Sequence, residues 1–515
     1  MSQPIRKVVI AGGGTAGWMT AAWFAKTLKG DVEEIVLVES DEIATVGVGE
    51  ATTPYIQVYN QVLGIDEAAF LKFTGGTCKL GIEFEGWGRE DNRYFHPFGA
   101  FGRDFGALPF HSAWLRHALE TPSDSLEGYN LQAVAARAGK FMPPSGANSP
   151  LAEITYAYHF DATLYARFLR QMSEAGGVRR VEGKIETVLT DDRGFITGLK
   201  LNGDRQIDGD LFIDCTGFRS LLLGEALGVG FEDWSHWLPC DRAYAVPTAT
   251  TAPPPPFTRS IAHSAGWQWR IPLQHRNGNG IVFSSAFMDE SEAVSHLMSS
   301  LSEPALSEPR RIAFTTGRRK KFWHNNCVAI GLASGFLEPL ESTSIMLIQN
   351  GIARLQYLFP DRAFEAADID AYNADMTREY EEVRDFLILH YHAGTRQDSD
   401  FWRYCQSMKI PETLSARLAL FESRGRIPPE RGEQFRTGNW LAVMWGQGLR
   451  PRQADPLSLS IPHADLGRAL SDMRQVIAAC GDRMPAHGAF IHHYCRSDTG
   501  MAPQAALHDK TQRKP

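Results

Sequence analysis

Apolar positions in this chain switch between two periods, and the switches divide it into recognisable pieces. Lys7-Val8-Val9-Ile10 is short, β-branched and nearly unbroken, the pattern of a strand buried on both faces. It stops at Gly12-Gly13-Gly14-Thr15-Ala16-Gly17, and from Trp18 to Leu28 an Ala-rich stretch predicts a helix. Ile35 to Val38 predicts a second strand, ending on Glu39. Val181 to Leu189 and Phe195 to Leu201 alternate around Asp191-Asp192-Arg193-Gly194 and predict a hairpin, and Leu211 to Gly217 predicts a buried strand ending in glycine. Trp267-Gln268-Trp269-Arg270-Ile271-Pro272 puts two indoles on one face of an extended segment. Helical spacing returns at Ile345 to Tyr357, Ala366 to His390 and Pro411 to Gly425. Thr251 to Phe257, with its run of prolines, predicts an extended connector, and the residues after Gln504 predict a frayed end.

Strand, glycine turn, helix and second strand in that order predict dinucleotide binding. Gly12 permits the tight turn, Gly14 lets the backbone approach a pyrophosphate, and Gly17 allows close helix packing. The helix N-terminus adds amides and a positive dipole. Glu39, about 20 residues past the glycines, is placed to hold a ribose hydroxyl pair. The hairpin and the strand ending at Gly217 resemble the FAD domain of the hydroxylase and glutathione-reductase group. No second GxGxxG follows, so reduced flavin is expected to come from another protein.

Composition narrows the class. With 515 residues, 43% hydrophobic and 22% charged, the chain can bury a large core and build two or three modules. A formal charge of -8 and a sequence without long basic runs argue against nucleic acid as a partner. No apolar stretch reaches membrane length and Met1 to Lys7 carries no signal-peptide pattern, so a cytoplasmic protein without a membrane partner is expected. Seven cysteines without CxxC spacing predict reduced buried thiols rather than disulfides or a metal site. The expected class is α/β: an FAD-binding Rossmann-type module over 1–60, 155–235 and 315–360, an interleaved substrate region over 61–154 and 236–314, and a helical part over 361–515.

Lys79, within Lys79-Leu80-Gly81-Ile82-Glu83-Phe84-Glu85-Gly86-Trp87, is expected at a strand start with Gly81 and Glu83 on its face. Together with GGGTAGW, WQWRIP and the block from Phe336 to Thr343 (FLEPLEST), this segment resembles the flavin-dependent halogenases of the tryptophan or indole type. The blocks fall in family order across nearly the whole chain, with Trp440 to Gly448 as a fifth. The resemblance implies that FADH2, oxygen and a halide ion, chloride or bromide, yield hypohalous acid, which passes through an internal tunnel to an aromatic substrate. It implies catalytic roles for Lys79 and Glu341, and halide contact at Thr343 and Ser344, where many relatives carry glycine at the second position. Flavin contacts are implied at Gly12, Gly14, Thr15, Ala16, Gly17, Glu39, Gly49, Glu50, Ala51, Val188, Leu332 and Ile345.

The segment Gly331-Leu332-Ala333-Ser334-Gly335 lacks the acid common in hydroxylases, and the two indoles of WQWRIP would bar direct oxygen transfer. Both features favour halogenation over the alternative, an FAD-dependent aromatic monooxygenase. His96 and Phe98 resemble the family pair that sandwiches an indole, and Trp445 is a further candidate wall. The groups that grip an amino acid are not evident in LAVMWGQG, so an indole-type aromatic is expected rather than tryptophan itself. A separate flavin reductase is the implied partner, and a homodimer is compatible with this reading.

Overall fold

The structure, a computed structural model, describes residues 3–42, 49–146, 148–428 and 432–497. Its centre is a six-stranded sheet in the order Trp323–His324, Cys327–Ala329, Leu211–Asp214, Lys7–Ala11, Glu34–Glu39, Arg179–Glu182. Every pairing is parallel except the outermost one, between Trp323–His324 and Cys327–Ala329. The unbroken apolar run of the first strand has its reason here. Val8 and Ile10 sink into one hydrophobic cluster while Val9 and Ala11 sink into another on the opposite face. Such burial is worth about 1.5–3 kcal/mol for each large aliphatic side chain.

The helix Thr15–Thr27 begins directly on the glycine turn, where the Trp18 amide donates to the Gly14 carbonyl at 3.1 Å. It packs against the helices Ala162–Ala175 and Ser344–Tyr357. Beside this layer lies a seven-stranded sheet ordered Arg310–Ala313, Arg242–Thr248, Asn277–Phe283, Gly266–Pro272, Thr258–His263, Gly81–Glu85, Arg93–Pro97. Its pairings are antiparallel apart from Thr258–His263 with Gly81–Glu85. A small sheet of Gly49–Ala51, Ala157–Asp161 and Thr77–Lys79 joins the two. The helix Ala366–His392 carries Tyr372, Met376, Tyr380, Val383, Leu387 and Tyr391 into the main core, and the helices Glu412–Arg424, Thr437–Gly446, His463–Asp482 and His487–Tyr494 follow it. All seven cysteines are free and buried.

Two sequence expectations change. The stretch Val181 to Leu189 is not one strand: Arg179–Glu182 closes the parallel sheet, the chain turns at Gly183, and Ile185–Thr190 pairs with Ile196–Leu201 in a separate sheet. Nor do Lys79, Gly81 and Glu83 share one strand face. Leu80 donates its amide to Pro256 and accepts from the Phe98 amide, and at that residue the chain leaves the small sheet for the large one. Glu83 therefore points to Arg137, Arg93 and Arg259, which gather around its carboxylate. Alternation is defined within a ladder, so the switch of ladder erased it. The frayed end expected after Gln504 lies outside the described residues.

Close packing at the turn makes one position testable. A Cβ on Gly17 would lie 1.8 Å from the Gly12 carbonyl oxygen, which is backbone and cannot rotate away. Gly17→Ala is expected to cost about 1–3 kcal/mol in urea unfolding, because the turn must open to admit the methyl group.

Candidate active site

The glycine turn opens onto a cavity of about 540 Å³ that runs from Gly13–Ala16 and Glu39, past Lys184, Ile185 and Thr216–Arg219, to Leu332, Ile345 and the two indoles Trp267 and Trp269. Its chemistry fits a dinucleotide. A Cβ placed on Gly14 would meet nothing within 4 Å, so its backbone faces open space at the helix N-terminus. Glu39 sits at the end of its strand against Gly13, held by Arg180 Nε at 2.5 Å. Across the cavity Asp214 accepts from the Leu222 and Leu223 amides at 3.0 and 2.8 Å and from the Thr216 hydroxyl at 2.6 Å. Those bonds hold the loop in which Gly217 takes a φ of +75°, a conformation other residues resist.

At the far end Trp267 and Trp269 face the cavity with ring centroids 6.1 Å apart. Trp267 is anchored from behind, where its Nε1 donates to Glu338 Oε2 at 2.8 Å and Tyr391 donates to the same oxygen at 2.6 Å. Glu338 is fully buried with Oε1 unpartnered, and burial pushes its carboxyl up to about 7.

Lys79 closes the strand Thr77–Lys79 and is 0% exposed. Its Nζ donates to Ser342 Oγ at 2.9 Å and to the Thr52 carbonyl at 3.0 Å, and lies 5.2 Å from the centre of the Phe98 ring. Ser342 lines the cavity, so the amine stands one side chain behind the cavity wall. Burial lowers its pKa to about 7, with the Glu341 carboxylate opposing the fall. The strand is fixed from outside: Thr77 donates to the Pro272 carbonyl at 2.7 Å, and His487 Nε2 accepts the Cys78 amide at 3.2 Å. His487 donates through Nδ1 to Pro254 at 2.7 Å, and burial brings its pKa down to about 4, so it remains a neutral acceptor.

Glu341 ends the short turn Pro339–Glu341, and Ser342 follows with a left-handed φ of +61° before the helix Ser344–Tyr357. That reversal sends the two side chains to different partners. Ser342 goes to Lys79, whereas the Glu341 carboxylate is clasped by two imidazoles. His96 Nδ1 is 2.9 and 3.0 Å from its oxygens, and His390 Nε2 is 2.8 Å from Oε1, an ion-pair contact without hydrogen-bond alignment. Despite burial, the neighbouring His96 and His390 hold the carboxyl down at about 2.

The remaining sequence candidates separate. Thr15, Ala16, Glu50, Ala51, Leu332, Ser344 and Ile345 line the cavity. Gly12 and Gly17 shape the turn behind it, and Gly49 pairs through its backbone with Asp161. Val188, in the strand Ile185–Thr190, is half-buried against the second hydrophobic cluster, and the cavity is lined by Lys184 and Ile185, nearer the turn at Gly183. Thr343 is fully buried with an unpartnered Oγ1. Both ring nitrogens of His96 are engaged in the ring plane, Nδ1 with Glu341 and Nε2 with Asn439 at 2.8 Å. Trp445 rests on Trp114 at 4.8 Å and under Arg450 at 3.5 Å, and no described contact joins it to Lys79. His390, Asn439, Glu338 and Thr52 were missed. Of these only Glu338 stood in a quoted motif, and nothing in a single sequence says that a histidine late in a long helix meets a turn about 50 residues earlier.

A cavity that opens from a glycine turn, is lined by two indoles and has a buried lysine behind its wall fits a dinucleotide-binding protein. A family model described as tryptophan halogenase matches residues 7–463. The solved structure of a flavin-dependent halogenase from Xanthomonas campestris superposes with a TM-score of 0.93 at 48% identity, covering 96% of this chain and 99% of that one. Another, from Brevundimonas sp. BAL3, gives 0.91 at 47% identity, covering 95% and 99%. The tryptophan 6-halogenase SttH of Streptomyces toxytricini is 36% identical over 492 residues, 89% of this chain and 92% of its own length. This chain belongs to the tryptophan halogenase family and is a flavin-dependent halogenase, which disfavours the monooxygenase alternative. No described helix is long and apolar enough to cross a membrane.

The state of Glu338 carries a stability prediction. Its proton is retained in the folded chain to about pH 7 and released in the unfolded chain near 4.5, so the contribution is full below pH 4.5 and is lost as pH rises through 7. Replacing it by glutamine is expected to flatten the fall of thermal stability between pH 5 and 8, by up to about 3 kcal/mol. Melting curves of Glu338→Gln and parent across that range check it.

Proposed function

We propose that the protein halogenates an indole-type aromatic, using FADH2 from a separate flavin reductase, with Lys79 passing the oxidant to the ring. The observation that carries the reading is the contact of the buried Lys79 amine with Ser342, a residue of the cavity wall. Bound as FADH2, the flavin supplies two electrons to dioxygen, so that one oxygen atom leaves as water and the other joins halide as hypohalous acid. The names of the relatives support an indole ring, since SttH is a tryptophan 6-halogenase.

Residues of the chain direct the rest. Gly14 and the amides of the first helix hold the pyrophosphate, and Glu39 takes the ribose. Segments 1–60, 155–235 and 315–360 read as the flavin module. Halide, chloride or bromide, lies at the amides of Thr343 and Ser344, where the helix Ser344–Tyr357 begins. Trp267 and Trp269 keep the substrate from the flavin while a small oxidant passes. Two N–H groups of Lys79 are taken by Thr52 and Ser342, which leaves a third to hold hypohalous acid against the aromatic ring beside Phe98. When the carbon–halogen bond forms, the oxygen–halogen bond breaks, positive charge grows on the ring, and the departing hydroxide and the ring proton end as water. Glu341, already ionised, stabilises that charge before the ring proton leaves.

Supplying flavin reductase, NADH, FAD, oxygen, bromide and indole is expected to yield a product with the bromine isotopic doublet in mass spectrometry; its absence under bromide and chloride alike would overturn the reading. Lys79→Met should lower product formation by about 10²-fold or more while the purified variant still retains flavin. Because the acting form is the ammonium and its pKa lies near 7, product formation should fall as pH rises from 6.5 to 8.5. Ser344→Gly widens the anion pocket and is expected to change the bromide-to-chloride product ratio in competition assays; an unchanged ratio removes Ser344 from the halide site.

A further inference from the structure

The strand Thr258–His263 runs between the indole wall and the strand that follows Lys79. On one side it pairs with Gly266–Pro272, which carries both indoles, and on the other with Gly81–Glu85. Thr258 and Ser260 both line the cavity, Ser260 directly across the ladder from Trp269 and Thr258 across from Ile82. Ser260 is 1% exposed, yet its Oγ has no hydrogen-bond partner among the described residues, and neither has Trp269 Nε1. Opposed residues share a face of the sheet, so the two orphan groups belong to one patch of the cavity wall. Buried polar groups are ordinarily bonded, and a patch that leaves two of them unmatched is built for a polar guest.

Thr258 is set from behind by a chain of bonds. Thr77 Oγ1 is 2.7 Å from the Pro272 carbonyl oxygen and 2.9 Å from His159 Nδ1, and His159 Nε2 is 2.9 Å from Thr258 Oγ1. Two oxygens that close need a proton between them, so the single hydroxyl proton of Thr77 goes to Pro272. His159 is 0% exposed, and burial, with Lys79 and His487 nearby, holds its pKa well below the usual histidine range, so the ring is neutral with one N–H. That proton sits on Nδ1 toward Thr77, and Nε2 accepts from Thr258. The Thr258 hydroxyl, its proton engaged, has only lone pairs left for the cavity.

Hypohalous acid is a neutral molecule with one O–H to donate and an oxygen that accepts. Thr258 can take its proton in a hydrogen bond while Ser260 donates to its oxygen. A halide ion has no proton to offer, so an acceptor such as Thr258 favours the oxidant over the ion from which it is made. We propose that Thr258 and Ser260 form a resting site for hypohalous acid between the indole wall and Lys79, with His159 as the positioning residue that makes Thr258 an acceptor. The inference rests on the halogenation reading of the cavity.

Ser260→Ala removes a hydroxyl that bonds nothing in the protein, so stability and flavin retention should match the parent. Oxidation of supplied FADH2 should keep its rate, while halogenated indole formed per FADH2 falls about 3- to 10-fold, the worth of one hydrogen bond, and a dissolved 1,3-diketone traps more oxidant. Thr258→Val should show the same loss, and Thr258→Ser should restore the yield. A parent-like yield in either Ser260→Ala or Thr258→Val would overturn the proposal, as would a loss matched by weaker flavin retention, which would give the hydroxyls to the flavin. If the parent itself yields neither product nor trapped oxidant, the halogenation reading fails and the resting site with it. Should Thr258→Val not fold, ¹⁵N-histidine spectra of the parent decide, with His159 assigned from its shift in Thr258→Ser: a proton on Nδ1 is expected, and one on Nε2 would overturn the proposal.

Discussion

Charge without water is the constraint on which this site depends. Lys79 and Glu341 are both buried, and an isolated ion in such surroundings is costly unless its neighbours replace the lost hydration. The protein replaces it with a carbonyl and a hydroxyl for the ammonium, and with two imidazoles for the carboxylate. The arrangement leaves an amine of lowered basicity next to a carboxylate of strongly lowered basicity. Electrostatic interactions are stronger there than in water, because little screens them.

The same dryness explains the wall. Trp267 is held by a buried carboxyl that also takes the hydroxyl proton of Tyr391, so a residue of the long C-terminal helix helps set the angle of an indole in the cavity. Glu338 and Glu341 lie three positions apart across one short turn, yet one is pushed toward neutrality and the other toward full ionisation. The difference lies in their partners. Glu338 has two neutral donors and an unpartnered oxygen, whereas Glu341 has imidazoles on both sides.

Much of the parallel sheet and its glycine turn was legible in the chain. The strand–glycine–helix order specified itself locally, since an unbroken β-branched run must be buried on both faces and Gly17 tolerates no side chain. WQWRIP read as an aromatic face because alternation along one strand is a local property. Where the chain changes sheets, local periodicity misled: Lys79 ends one ladder and Glu83 belongs to another, and the pattern across Leu80 carries no mark of the switch.

The sequence by itself determined the cofactor loop, the indole wall, and the presence of a lysine and an acid in recognisable motifs. Only the tertiary structure decided what those two groups are. It brings His96 from an edge strand and His390 from the end of a 27-residue helix to one carboxylate, and Asn439 from the first turn of another helix to the far side of His96. The protonation of Glu341 depends on distances of about 3 Å between residues far apart in the chain, and Coulomb's law acts on those distances rather than on sequence order.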